Sequence, residues 1–235
     1  MVARDRRVPI RIGVNAGSLP GTKSKYNSVP RRMISAALKQ IKLLESYDFD
    51  LIKVSLKAFD VPTTVEAYRL IAPKIPYPLH LGITEAGLPG TGIIRSAVGI
   101  GILLFEGIGD TIRVSLSAHP REEIVAAFEI LKSLNIRRQG PTLISCPSCG
   151  RCEVDIIKMA ETVAGHISNI KKPITIAVMG CVVNGPGEAK EADVGIACGK
   201  GKGAIFKKGL ITATVAENLL VDSLLGEINS LLVLD

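Results

Sequence analysis

The sequence predicts an α/β chain in two parts: four strand–helix units over residues 1–140, then a smaller α+β domain over residues 141–235. Three observations carry that expectation. Apolar strand-like runs alternate four times with helices of amphipathic spacing, the pattern of a parallel sheet covered by helices. A polar stretch, Arg137-Arg138-Gln139-Gly140, then interrupts the alternation and reads as a linker. Beyond it the cysteines gather: SCPSCGRC supplies Cys146, Cys149 and Cys152, and MGCVVNGPGE supplies Cys181.

Taken in order, the first part should hold strands near Ile10 to Val14, Leu51 to Leu56, Leu79 to Ile83 and Thr111 to Leu116. Each precedes a helix, at Met33 to Tyr47, Val61 to Ala72, Ile93 to Glu106 and Arg121 to Leu134. The first helix has Ile34, Ala37, Leu38, Ile41 and Leu44 on one face, and the fourth has Ile124, Phe128 and Leu131. The second part should open with a short strand into the cysteines. A helix from Asp155 to Ile170 follows, then strands at Ile174 to Met179 and Asp193 to Ala197, a Gly/Lys hairpin, and a helix near Asn218 to Leu232. Apolar stripes again support the helices: Ile156, Ala160, Val163, Ile167 and Ile170 in one, Val221, Leu224, Leu225, Ile228 and Leu232 in the other. These stripes are core, and His166, off the first stripe, is a surface residue.

Lysine and arginine number 29 against 22 acidic residues, for a net charge of +7, which favours anionic partners. Nucleic acid fits poorly, because there is no Trp to stack on bases and no basic helix or recognition motif. A small phosphorylated substrate suits the pattern better. No membrane span is expected, since the longest uncharged apolar run, Ala97 to Phe105, is too short to cross a bilayer. The opening MVARDRR has no apolar stretch after its charges and does not read as a secretory signal. A soluble, cytoplasmic protein with reduced thiols is expected.

The Cys146/Cys149 pair puts two thiolates within reach of one metal, and a third from elsewhere in the fold would complete a site. Structural zinc usually takes four ligands from two such knuckles, and no second knuckle is present, so an iron-sulfur cluster is favoured. Spacing alone leaves the third ligand open between Cys152, which extends the run to C-x-x-C-x-x-C, and Cys181. The turn Asn184-Gly185-Pro186-Gly187-Glu188 is suited to aim N–H groups and the Glu188 carboxylate at a cluster bound by Cys181. Cys198 reads as a spare strand thiol. The bland alternative is that these are buried thiols and a turn, which the spacing disfavours.

A second constellation comes from strand periodicity. Alternate residues share a face, so Arg11, Gly13 and Asn15 align, as do Lys53, Ser55 and Lys57, and Arg113 with Ser115. Cationic and polar groups on strand after strand suit a diphosphate better than any single strand would.

The segments IRIGVNAGSL, IKVSLKA, PLHLGITEAG, EGIGDTIRVSL, LISCPSCGR and GCVVNGPGEA together resemble the 4-hydroxy-3-methylbut-2-enyl diphosphate synthase family (IspG/GcpE) along nearly the whole chain. The resemblance implies a TIM-type barrel followed by a 4Fe-4S cluster domain. A closed barrel of that type has eight strands, so the four units here correspond to its C-terminal half. The missing half then implies a misassigned start, a broken gene, or a separate chain.

What the resemblance implies for the site is specific. Arg11 and Asn15 would contact the diphosphate and a hydroxyl, Lys57 the diphosphate, with Arg113 and Ser115 completing that side. Glu85 matches an acidic residue of proton transfer. Cys146, Cys149, Cys181 and Glu188 match the ligands of a 4Fe-4S cluster, with Asn184 close to substrate. Cys152 has no counterpart in the usual motif, and Phe59 stands where a small polar residue is common. The implied reaction is reductive ring opening of 2-C-methyl-D-erythritol 2,4-cyclodiphosphate in the methylerythritol phosphate route to isoprenoids, with electrons from flavodoxin or ferredoxin, in a homodimer. Two other classes stand beside it: a remnant that keeps a cluster as a redox or binding module without turnover, and a structural zinc domain.

Overall fold

The computed structural model describes residues 2–19, 28–152, 154–181, 187 and 189–233. The chain divides into two compact units, Met1–Arg137 and Arg138–Asp235.

In the first unit a short helix α1 (Val2–Asp5) leads to β1 (Ile10–Asn15), α2 (Val29–Glu45), β2 (Ile52–Lys57), α3 (Val61–Ile71), β3 (His80–Leu81), α4 (Pro89–Phe105), β4 (Thr111–Ile112) and α5 (Pro120–Ser133). The strands lie parallel in chain order: β1 pairs with β2 over six residues, Val54 bridges to Leu79, and β3 pairs with β4. The alternation expected from sequence is therefore present. Two helices begin four residues earlier than their apolar stripes suggest, at Val29 and Pro89. The reason is proline: each of α2 to α5 carries one at its first or second position, where a missing N–H costs no helical hydrogen bond.

One face of the sheet is apolar. Ile12 and Val14 of β1, Val54 and Leu56 of β2 and Leu81 of β3 are buried with Met33, Ile34, Ala37 and Ile41 of α2 and Val65, Tyr68 and Ile71 of α3. Tyr68 also ties strands together. Its buried phenol accepts from the Leu56 N–H at 3.0 Å and donates to the His80 carbonyl at 2.5 Å, so β2 and β3 share one side chain. Helix α4 comes close to the strands through small residues: a Cβ at Gly99 would stand 2.6 Å from Ile83 Cδ1.

The second unit is a five-stranded sheet in the order β5-β6-β7-β8-β9. Its strands are β5 (Thr142–Ser145), β6 (Thr175–Met179), β7 (Val194–Gly199), β8 (Lys202–Lys207) and β9 (Leu210–Ala216). β5, β6 and β7 are parallel; β8 and β9 return antiparallel. Helices α6 (Ile156–Ile167) and α7 (Leu220–Val233) bury Ile156, Val163, Leu220, Leu224 and Ile228 against Ile176, Val178, Val194 and Ile196. Asp155 caps α6, its carboxylate accepting from Lys158 N at 3.0 Å. β9 was not among the elements expected from sequence. It lies at the sheet edge with nearly every residue exposed, so its sequence, LITATVA, carries no burial alternation to announce it. Among the described residues no helix is long and apolar enough to cross a membrane.

Candidate functional site

The register of β1 on β2 puts Arg11 beside Lys53, Gly13 beside Ser55 and Asn15 beside Lys57. These positions alternate with the buried Ile12, Val14, Val54 and Leu56, so the polar set occupies the sheet face opposite the helices. Arg11 Nη1 donates to Ser55 Oγ at 2.6 Å, and Ser55, only 1% exposed, turns its hydroxyl toward the Ile12 carbonyl at 3.4 Å. Glycine makes the crowding possible. A Cβ at Gly82 would meet Lys57 Nζ at 3.2 Å and the Arg113 carbonyl oxygen at 2.7 Å.

Lys57 is 8% exposed. Burial lowers its ammonium to about 8, and the neighbouring charges of Arg11 and Arg113 act in the same direction, while Glu123 opposes them. Glu123 is anchored where it can do so: it accepts from Leu116 N at 2.9 Å and lies 3.8 Å from Arg113 Nε. His80 feels the same field. Its imidazole is lowered to about 4 by burial and then by Lys57, Arg11, Lys53 and Arg113, so it is neutral near pH 7. His80 Nδ1 lies 2.8 Å from Thr111 Oγ1. A neutral ring set among four cations leaves the positive charge for an anion from solution.

At the C-terminal ends of β1 and β2 lies a cleft of about 500 Å3 whose walls include Asn15, Phe59, Asp60, Thr63 and Glu85. The Asp60 carboxylate caps α3 through Thr63 N at 2.8 Å. Glu85 is exposed and stands at φ 55, a left-handed conformation that a non-glycine residue adopts at a cost. Arg95 holds this loop, donating to the Ala86 carbonyl while its guanidinium lies 4.2 Å over the Phe59 ring. Ser115 is half-buried in the segment after β4. Arg11, Lys57 and Arg113 are thus joined by their charges, and Asn15 and Glu85 by the cleft. His80, Glu123 and Arg95 had not been singled out from sequence. His80 alone carried a signal, two positions before Gly82 within PLHLGITEAG; the other two come from helices and reach the site only through packing.

In the second unit Cys146 follows β5 and Cys181 follows β6, neighbouring parallel strands in which Ser145 pairs with Val178. Both cysteines are half-buried, as is Cys152, whereas Cys149 is exposed. Gly180 N donates to Cys146 Sγ at 3.1 Å, and a Cβ at Gly180 would stand 2.6 Å from Cys152 Sγ. Cys198 is buried in β7 beside Met159, with Sγ to Sδ 3.8 Å. Burial pushes its thiol up to about 12, with Cys152, Glu217 and Cys146 adding to the effect. It stays protonated, consistent with a spare strand thiol.

All five cysteines are among the described residues, and none forms a disulfide. Asn184 and Glu188 lie outside the described residues. Among the described residues no group of three His, Cys, Asp or Glu side chains converges closely enough to hold a metal ion. The donor chemistry nevertheless suits a thiolate-bound centre: thiols at the ends of adjacent strands, with a backbone N–H already donating to one sulfur.

Comparison with known proteins points one way. A family described as the GcpE TIM-barrel domain matches residues 1–128, and one described as the GcpE protein C-terminal domain matches residues 142–230. The chain is 64% identical over 229 residues to the 4-hydroxy-3-methylbut-2-en-1-yl diphosphate synthase (flavodoxin) of Dehalococcoides mccartyi. To the enzymes of the same name from Geobacter sulfurreducens and Clostridium perfringens it is 54% and 51% identical. These matches cover 97%, 98% and 97% of this chain, and the chain spans 66% of the length of each relative.

Proposed function

This chain belongs to the GcpE family, and on that premise we propose that it serves the reductive ring opening of 2-C-methyl-D-erythritol 2,4-cyclodiphosphate to 4-hydroxy-3-methylbut-2-enyl diphosphate. The observation that carries the reading is the cation face: Arg11, Lys53 and Lys57 of β1 and β2 and Arg113 just after β4 set their charges around a neutral His80, beside a cleft that holds Glu85 and Asn15. A cyclic diphosphate needs several cations at once, and a phosphoryl oxygen close to Lys57 would restore the proton that burial and its neighbours weaken.

Arg11, Lys57 and Arg113 would bind and orient the diphosphate, with Ser115 on the same side and Ser55 holding the Arg11 guanidinium in place. Asn15 would hydrogen-bond a substrate hydroxyl. Glu85 would pass a proton to the hydroxyl that leaves as water, from a loop that Arg95 keeps in place. Asn184 would lie near the substrate. Cys146, Cys149, Cys181 and Glu188 would hold a 4Fe-4S cluster, which supplies two electrons one at a time when bound. Flavodoxin, named in the relatives, is the donor this reading implies, with ferredoxin as the other candidate. A homodimer in the cytoplasm is part of the same proposal.

On this reading the four parallel strands are part of an eight-stranded barrel, a separate N-terminal half being one proposed source of the other strands. A second reading is a redox or binding module that holds a cluster without turnover. Anaerobic loading with iron and sulfide, followed by assay with a chemical reductant with and without the N-terminal half, separates the two. Product formation with both halves supports the enzyme; a loaded cluster without product in either case supports the module. A chain that takes up one zinc and no sulfide would overturn both.

A further inference from the structure

We infer that Cys146 and Cys152 are a disulfide-forming pair, a thiol-oxidation site distinct from the Cys146/Cys149 pair that the sequence offers to a metal. The run Cys146-Pro-Ser-Cys149-Gly-Arg-Cys152 offers three pairings, and the geometry selects the outer two. Cys152 N donates to the Cys149 carbonyl at 2.9 Å, so the chain turns through Gly150 and Arg151. That turn carries Cys149 outward, where it is exposed, and returns Cys152 toward the sheet. Cys146 and Cys152 both pack against the apolar cluster beneath α6, and both sulfurs lie within 3.5 Å of the point where a Gly180 Cβ would stand. Because residue 180 is glycine, that point is empty of side chain. Cys198 does not compete, since it is buried in β7 with its thiol on Met159.

The chemistry is thiol–disulfide exchange with a small-molecule disulfide such as oxidised glutathione. One protein thiolate attacks that disulfide and releases one glutathione thiol. The second protein thiolate then attacks the mixed disulfide and releases the other. The protein loses two electrons and two protons and gains one S–S bond, and two glutathione thiols are produced. The link needs no cluster; its consequence rests on the proposed role of Cys146 as a cluster ligand. Oxidised, Cys146 is shielded from irreversible over-oxidation and withheld from iron until a reductant returns it.

The test uses the full chain freed of metal by chelation, equilibrated in glutathione buffers of increasing oxidised fraction, then alkylated and mapped by mass spectrometry. The expected result is loss of two of the five alkylatable thiols and a dominant Cys146–Cys152 linked peptide that dithiothreitol reverses. The link should persist in Cys149→Ser and Cys198→Ser, and vanish in Cys152→Ser with all remaining thiols alkylatable. A dominant Cys146–Cys149, Cys149–Cys152 or Cys152–Cys198 peptide would overturn the inference, as would five alkylatable thiols in the most oxidising buffer. Iron and sulfide loading of the reduced chain is followed separately by visible absorbance. If the reduced chain takes up no cluster, the cluster reading fails while the peptide map still decides the disulfide.

Discussion

An ammonium buried beside two guanidinium groups gives up its proton more readily than one in water, and Lys57 is lowered to about 8 for that reason. The sign of the consequence follows. The charged form that attracts an anion prevails below that pH and is lost as pH rises through it. Binding of inorganic pyrophosphate, measured by calorimetry, should therefore be roughly 10- to 100-fold weaker in Lys57→Met near pH 7, the worth of one charge-assisted contact. The gap between the two proteins should narrow between pH 8 and pH 9. A gap that does not change with pH would remove Lys57 from the anion site. Glu85 invites a different comparison, because its backbone stands at φ 55. Glu85→Gly should stabilise the chain, or leave it unchanged, by up to about 1 kcal/mol in thermal unfolding, since glycine accepts that conformation. Glu85→Gln should leave stability alone, and on the proposed proton-transfer role both should lower turnover of the full-length protein sharply. A glycine variant that melts several degrees lower would mark the side chain as structural.

At the scale of elements, the strands are held in register by side chains from the helices that cover them. The Tyr68 hydroxyl joins the Leu56 N–H to the His80 carbonyl, and His80 and Lys57 flank the proposed anion site through that same pair of strands. Tyr68→Phe strands a buried donor and a buried acceptor, and should lower stability by about 1–3 kcal/mol in urea unfolding. Asp60→Ala removes the cap of α3 and should cost about 1 kcal/mol. The two changes differ in reach. Tyr68→Phe should also weaken pyrophosphate binding, because Gly82, directly after β3, stands against Lys57, whereas a loss of binding in Asp60→Ala alone would contradict this division.

For the whole molecule, among the described residues β1 pairs with β2 and β4 with β3, so each leaves an outer strand edge open. Helix α4 adds an exposed apolar row, Ile94, Val98, Ile102 and Phe105, at spacings that share one face. Residues 1–235 alone should therefore self-associate, and light scattering should give a mass above 25.0 kDa. The second unit has its own sheet, two covering helices and a separate buried cluster, so residues 138–235 should fold cooperatively when expressed alone. A monodisperse monomer of the whole chain would sink the first expectation, and a non-cooperative melt of the isolated unit the second.

Local chemistry by itself determines much of this protein. Period-two and period-3.6 patterns placed the four strand–helix units, and strand alternation put Arg11, Gly13 and Asn15 together on one face of their strand and Lys53, Ser55 and Lys57 together on one face of theirs, because those repeats are properties of the backbone itself. Segment resemblance named the family that the comparisons then matched. Edges and partners were less legible: α2 and α4 started early because proline suits a first turn, and β9 carried no alternation because no face of it is buried. Only the tertiary structure set Arg11 on Ser55, brought Glu123 and Arg95 from helices to the strand ends, and put Cys152 rather than Cys149 beside Gly180. Those contacts join residues distant in sequence or turned by a single loop. Their distances depend on how the helices pack and where glycines leave room, and no local pattern encodes that.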